Sequence, residues 1–206
     1  MCAARADTLV TTPEATRRDV LTIAGGAFAV VGGLVSLWPL LQQMNPDANT
    51  LATANIEVDL KPVAVGQSIT VQWRGKVVFI RHRTPAEIET ARAVPVGRLP
   101  DRKARMAGRP DWAPATDANR TKPDRANWLI VVGVCTHFGC IPQGQRLGEK
   151  RGDYGGWYCS CHGSQYDTAG RIRIGPAPAN LEVPPYHFVT DTLVEIGRLQ
   201  RPSPAA

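Results

Sequence analysis

The sequence predicts a mainly β, antiparallel soluble domain carried by one N-terminal transmembrane helix, with a short helical and loop insertion in the domain. Three observations predict it. Residues 20–41 are uncharged and apolar throughout. After residue 56 the chain breaks into short β-rich runs punctuated by Gly and Pro. Two compact boxes of Cys and His, at 135–140 and 159–164, each follow such a run.

The anchor comes first. VLTIAGGAFAVVGGLVSLWPLL is 22 residues long, and a helix of that length spans roughly 33 Å, enough for a bilayer core. Gly25, Gly26, Gly32 and Gly33 would weaken a helix in water but are common in membrane spans. Thr16-Arg17-Arg18-Asp19-Val20-Leu21 ahead of it has the form of a twin-arginine export signal, with Val20 where Phe is usual. Arg5, Arg17 and Arg18 precede the span and no Lys or Arg follows until Lys61. Positive charge stays inside, so residues 1–19 are expected to be a cytoplasmic tail and the rest of the chain to lie on the far side. Ala52-Thr53-Ala54 has the form of a cleavage site but lies too far beyond Leu41, so the helix is expected to be retained. Residues 42–55 are small and polar and read as a flexible linker.

The domain then runs from 56 to 206. Ile69–Trp73 and Lys76–Arg81 read as a hairpin closed by Arg74-Gly75. Trp128–Val134 leads into the first box and Gly156–Tyr158 into the second, with further strands at Ile172–Ile174 and Leu193–Ile196. Thr84, Pro85 and Glu87 form a capping box for a short helix over 84–93. Residues 94–126, rich in Pro, Arg and Asp, read as an insertion of loops with room for another short helix.

Composition narrows the function. The chain has 206 residues, room for one anchor and one domain, and its hydrophobic fraction of 43% can supply a core. The net charge is +6, with Lys and Arg scattered through 74–125 rather than clustered, and no nucleic-acid motif is present. A solvated basic face is the simplest reading, and it would also suit an acidic partner or anionic lipid. Trp73, Trp112, Trp128 and Trp157 read as packing residues, His82 and His187 as structural, and Cys2 as a free thiol of the tail.

The chemistry lies in the boxes. Cys135-Thr136-His137-Phe138-Gly139-Cys140 and Cys159-Ser160-Cys161-His162-Gly163-Ser164 each offer one Cys and one His at loop spacing. Two facing loops of this kind make a Cys₂His₂ site. Zinc takes such a set readily, and so does a [2Fe–2S] centre with both His on one iron. Cys140 and Cys161 are surplus, one in each box. A bridge between them would pin the loops together and needs an oxidising compartment, which the expected topology supplies.

CTHFGC, then CSCHGSQYD, then Gly175-Pro176-Ala177-Pro178 resemble the two cluster-binding boxes and the proline loop of the Rieske iron–sulfur subunit of ubiquinol–cytochrome c reductase, bacterial type. Twin-arginine region, anchor and linker extend the similarity over nearly the whole chain. The resemblance implies one Rieske-type [2Fe–2S] cluster in a part spanning about 134–180. Cys135 and Cys159 would ligate the buried ferric iron, and His137 and His162 the outer iron. Cys140–Cys161 would be the disulfide. Ser164 would donate a hydrogen bond to a bridging sulfide and Tyr166 to a ligand sulfur, and His162 would contact the quinol and accept its proton. Phe138 stands where Leu is usual, near the expected quinol-docking surface, and Ser160 where Pro is usual.

The implied activity is one-electron transfer from ubiquinol to a c-type cytochrome, coupled to proton translocation. The implied partners are cytochrome b and a c-type cytochrome, in a dimeric complex of the bacterial inner membrane with the domain on the periplasmic side. A twin-arginine route would export the domain folded, its ligand thiols already occupied. Three other readings compete. A Rieske subunit of another periplasmic oxidase, such as one acting on arsenite, fits the anchor and the proline loop less well. An oxygenase or its ferredoxin usually lacks the bridge cysteines. A zinc-stabilised structural module would have no redox role.

Overall fold

The computed structural model describes residues 16–45 and 54–199. Cys2, Arg5 and the central part of the expected linker, 46–53, lie outside the described residues. Helix α1 (Arg17–Gln42) contains the expected apolar span. Thr16 starts it as N-cap: its hydroxyl accepts the Asp19 amide while the Asp19 carboxylate accepts the Thr16 amide. The helix has 26 residues and a mean hydropathy of 2.1 in its most apolar window, so it is long and apolar enough to cross a membrane.

The domain, described by itself, consists of three antiparallel three-stranded sheets. β1 (Ile56–Asp59) pairs with β9 (Leu193–Ile196), which pairs with β8 (Tyr186–Phe188). β2 (Ser68–Trp73), β3 (Lys76–His82) and β4 (Trp128–Val132) form the second sheet. β5 (Gly155–Cys159), β6 (Ser164–Asp167) and β7 (Ile172–Ile174) form the third. The β2–β3 turn is the expected Arg74-Gly75 pair, with φ of +49° and +73°, the two left-handed residues of a type I′ hairpin. β4 is buried along its whole length, as a continuous apolar run predicts.

One core joins the three sheets. Val78, Phe79 and Ile80 from β3 meet Leu129, Ile130 and Val131 from β4, Trp157, Tyr166 and Ile172 from the third sheet, and Val194 and Ile196 from the first. The Phe79 and Trp157 rings stack at 6.0 Å and link the second sheet to the third. A side chain at Gly133 would fall 2.5 Å from the Phe79 ring, so only glycine lets the chain leave β4 this close to the core.

Helix α2 (Pro85–Arg92) carries the expected capping box from Thr84 to Glu87. The insertion contains three single 3₁₀ turns, Val96–Arg98, Asp117–Asn119 and Pro123–Arg125. Three buried arginines tie it down. Arg83 pairs with Asp117. Arg171 pairs with Asp167 and donates to the carbonyls of Ala115 and Ala91. Arg120 donates to the carbonyls of Ala169, Ala104, Gly170 and Leu181. Unmatched, such charges would be very costly to bury; here each is surrounded by acceptors. His82 stacks on Trp128 at 4.0 Å with Nδ1 on the Val63 carbonyl, a structural role, and His187 lies beside Glu195. Trp73, Trp128 and Trp157 are core residues, while Trp112 is exposed.

Candidate metal centre

Both boxes are built by the same local device. In the first, the Cys135 carbonyl accepts the Gly139 amide at 2.9 Å; in the second, the Cys159 carbonyl accepts the Gly163 amide at 2.9 Å. Gly139 and Gly163 sit at φ of +82° and +79°, where a side chain would be strained. Each turn therefore holds its cysteine inward at the end of a β-rich run and turns its histidine outward. Cys135 and Cys159 are free thiols, each 2% exposed, and both belong to the hydrophobic core.

The two histidines converge. His137 Nδ1 and His162 Nδ1 lie 3.3 Å apart, with the rings at 90°. Two imidazole nitrogens on one tetrahedral metal, each bonded at about 2.1 Å, stand roughly 3.4 Å apart, so this separation suits a shared iron. The Cys140–Cys161 disulfide is formed across 21 positions of sequence, with a Cα–Cα distance of 6.8 Å, and pins one loop to the other. Its sulfurs lie within 4.8 Å of Cys159 Sγ. They are spent in the bridge, which leaves Cys135, Cys159, His137 and His162 as the candidate donors. Burial and the neighbouring Cys135 push the Cys159 thiol up, so a bound cation is what would draw its proton off.

Around this set, Ser164 is fully buried and its Oγ accepts the Ala177 amide at 3.1 Å, leaving its own proton free to donate. Tyr166, also fully buried, donates to Cys135 Sγ at 3.4 Å. Gly175 sits at φ of +106°, and a side chain there would lie 2.5 Å from Ser164 Cα; the proline loop closes tightly on the second box. Phe138 is 77% exposed, its ring 4.1 Å from the His137 ring and 5.8 Å from that of His162. The eight residues singled out in sequence thus gather in one site.

Sequence reasoning missed several supports. Thr136 Oγ1 donates to the Ala179 carbonyl at 2.7 Å and accepts the Ala179 amide at 3.3 Å, tying the first box to the proline loop. Gln145 joins the Trp157 indole to the Ile69 carbonyl, and Glu149 accepts three successive amides, of Gly144, Gln145 and Arg146. Thr136 stood inside a box and was readable there. Gln145 and Glu149 carry no local signal.

The comparisons with known proteins agree with this geometry. The family described as Rieske [2Fe-2S] domain matches residues 117–186. The family described as Ubiquitinol-cytochrome C reductase Fe-S subunit TAT signal matches residues 9–47. Three relatives called ubiquinol–cytochrome c reductase iron–sulfur subunit match over nearly the full chain. That of Bradyrhizobium diazoefficiens is 54% identical over 183 residues, covering 88% of this chain and 94% of the relative. That of Rhodospirillum rubrum is 52% identical over 196 residues, covering 94% and 100%. That of Rhodobacter capsulatus is 51% identical over 187 residues, covering 88% and 95%.

Proposed function

This chain belongs to the family of Rieske iron–sulfur subunits of ubiquinol–cytochrome c reductase, and from that premise we propose that it takes electrons singly from ubiquinol and hands them to a c-type cytochrome, within a proton-translocating membrane complex. It carries one Rieske-type [2Fe–2S] cluster. Cys135 and Cys159 would hold one of its irons, and His137 and His162 the other. The observation that carries this reading is the approach of His137 and His162 through Nδ1, 3.3 Å apart, in a site with two buried free thiols and a Cys140–Cys161 clasp.

When bound, the cluster supplies a one-electron acceptor whose potential, roughly −150 to +300 mV for this type, is raised because neutral imidazoles replace two thiolates. The residues around it do the rest. Ser164 would donate its free hydroxyl proton to a cluster sulfur, and Tyr166 donates to the Cys135 sulfur, both favouring the more negative, reduced form. Ligation through Nδ1 leaves His162 Nε2 free on an exposed ring, where it meets the quinol hydroxyl and takes its proton. Phe138 presents an apolar surface beside both imidazoles for the quinol to pack against.

Cytochrome b, which presents the quinol, and a c-type cytochrome are the partners. Helix α1 remains as a single-pass anchor in the bacterial inner membrane, with residues 1–19 in the cytoplasm and 56–206 in the periplasm. That side is oxidising and preserves the Cys140–Cys161 bridge.

Electron paramagnetic resonance of membranes carrying the chain, reduced by ascorbate, tests this. A rhombic spectrum with the low average g value of a His-ligated [2Fe–2S] centre is expected. A signal that needs dithionite would count against quinol oxidation, and zinc in place of iron in the purified chain would overturn the reading.

A further inference from the structure

The insertion at 94–126 contributes no ligand, yet one of its carboxylates reaches the wall of the site. We propose that Asp101 is a positioning residue for the cluster: through Asn180 it holds the proline loop in register against both boxes. This rests on the Rieske reading above.

Asp101 is 6% exposed and Asn180 is fully buried. Their bonds are reciprocal. The Asn180 amide N–H donates to Asp101 Oδ2 at 2.9 Å, and Asn180 Nδ2 donates to the Asp101 carbonyl at 2.9 Å and to the Lys103 carbonyl at 2.8 Å. Asn180 Oδ1 accepts the Ile172 amide at 2.8 Å. Every donor of the side chain is used, and the acceptor is engaged as well. Asp101 Oδ1 also accepts the Lys103 amide at 3.1 Å, and Arg105 Nε pairs with Oδ2, so the carboxylate has one orientation.

The loop needs this outside hold. Pro176 and Pro178 have no N–H to give. Among the described residues, no backbone-to-backbone hydrogen bond secures 176–180. Its remaining donors go to side chains: Ala177 to Ser164 Oγ, Ala179 to Thr136 Oγ1, and Asn180 to Asp101. The first two acceptors belong to the boxes themselves. Asp101 is the only one of the three that ties the loop to a different part of the domain. Without the carboxylate, Asn180 Nδ2 still reaches the Asp101 and Lys103 carbonyls, but the loop's last backbone amide loses its acceptor, so the loop backbone can shift along the boxes and the contact that orients the Ser164 hydroxyl shifts with it. A buried amide left unpaired adds to that drift.

The test uses the full-length chain in membranes, with redox titration and the line shape of the reduced cluster as readouts. Asp101→Ala is expected to lower the midpoint potential and broaden the rhombic lines. Asp101→Asn keeps a side-chain oxygen for the Asn180 amide and should restore most of both. Val63→Ala, a core truncation in a different part of the domain, serves as the stability control and should leave both readouts unchanged. A wild-type potential and line shape in Asp101→Ala would overturn the proposal, as would an equal shift in Val63→Ala. Should Asp101→Ala fail to accumulate, Asp101→Glu decides: it keeps the charge but displaces the carboxylate by one methylene, so a lowered potential with broadened lines is expected, and wild-type values overturn the proposal. A wild-type chain without any rhombic signal would instead defeat the cluster reading.

Discussion

Tyr166 Oη donates to Cys135 Sγ at 3.4 Å and at the same time accepts the backbone N–H of Thr136 at 3.3 Å. One hydroxyl thus ties β6 to a candidate ligand and to the residue that follows it. Burial, and then the Cys135 sulfur, push the phenol well above the usual tyrosine range, so the donated proton stays in place at physiological pH.

Removing that donor destabilises the reduced cluster more than the oxidised one. A hydrogen bond to a charged group is worth about 1.5–3 kcal/mol, and 59 mV corresponds to about 1.4 kcal/mol for one electron. Tyr166→Phe is therefore expected to lower the midpoint by tens of millivolts, up to about 130 mV. Ser164→Ala should act in the same direction. A redox titration that shows no fall in either variant removes the hydrogen-bond role assigned to that residue.

The Cys140–Cys161 bridge closes a loop of 21 residues of separation. Chain entropy assigns such a closure about 3 kcal/mol, most of it through the unfolded state. Cys140→Ser should lower the melting temperature and, because the two boxes then part more easily, the iron and labile sulfide retained per chain. Full cluster content with unchanged melting would show that the clasp is dispensable.

Arg120 is fully buried and serves four carbonyls from three segments. Burial pushes its guanidinium down to about 10, which still leaves it charged at neutral pH. Arg120→Met would strand several of those acceptors, at about 1–3 kcal/mol each. A loss of roughly 6–12 °C in melting temperature is expected for a total of about 3 kcal/mol. Arg102→Met, at an exposed site of the same insertion, should change it little.

Glu149 should give the loop at 143–149 a pH dependence. Backbone amides, those of Gly144 and Arg146 first, hold its carboxyl below the ordinary glutamate value of 4.5. A depressed folded-state value means that the stabilisation is complete above 4.5 and is lost as pH falls through the lower, folded-state value. Lower hydrogen-exchange protection, measured against the intrinsic rate at the same pH, is therefore expected at Gly144, Gln145 and Arg146 in acid, and at neutral pH in Glu149→Gln. Exchange in the variant that matches wild type would show that the carboxylate does not hold the loop.

What the sequence determined by itself was local. The α1 span follows from an unbroken apolar run, the α2 start from Thr84, Pro85 and Glu87, and the β2–β3 turn from Arg74-Gly75. The candidate donors Cys135, His137, Cys159 and His162 are legible in two boxes of six residues, and the resemblance added the proposed roles of Ser164 and Tyr166 and the bridge. The span, the caps, the turn and each box taken by itself depend on neighbours within a few positions, which a one-dimensional pattern can record. β6 and β8 escaped the same reading because SQYD and YHF carry no apolar alternation long enough to register. The tertiary structure decided where the polar residues went. Arg83, Arg120 and Arg171 look like surface charges in sequence, and all three are buried because their acceptors arrive from 34, 49 and 80 positions away. Asp101 meets Asn180 across 79 positions. A charge can be buried only where such partners converge, and that convergence is a property of the folded chain.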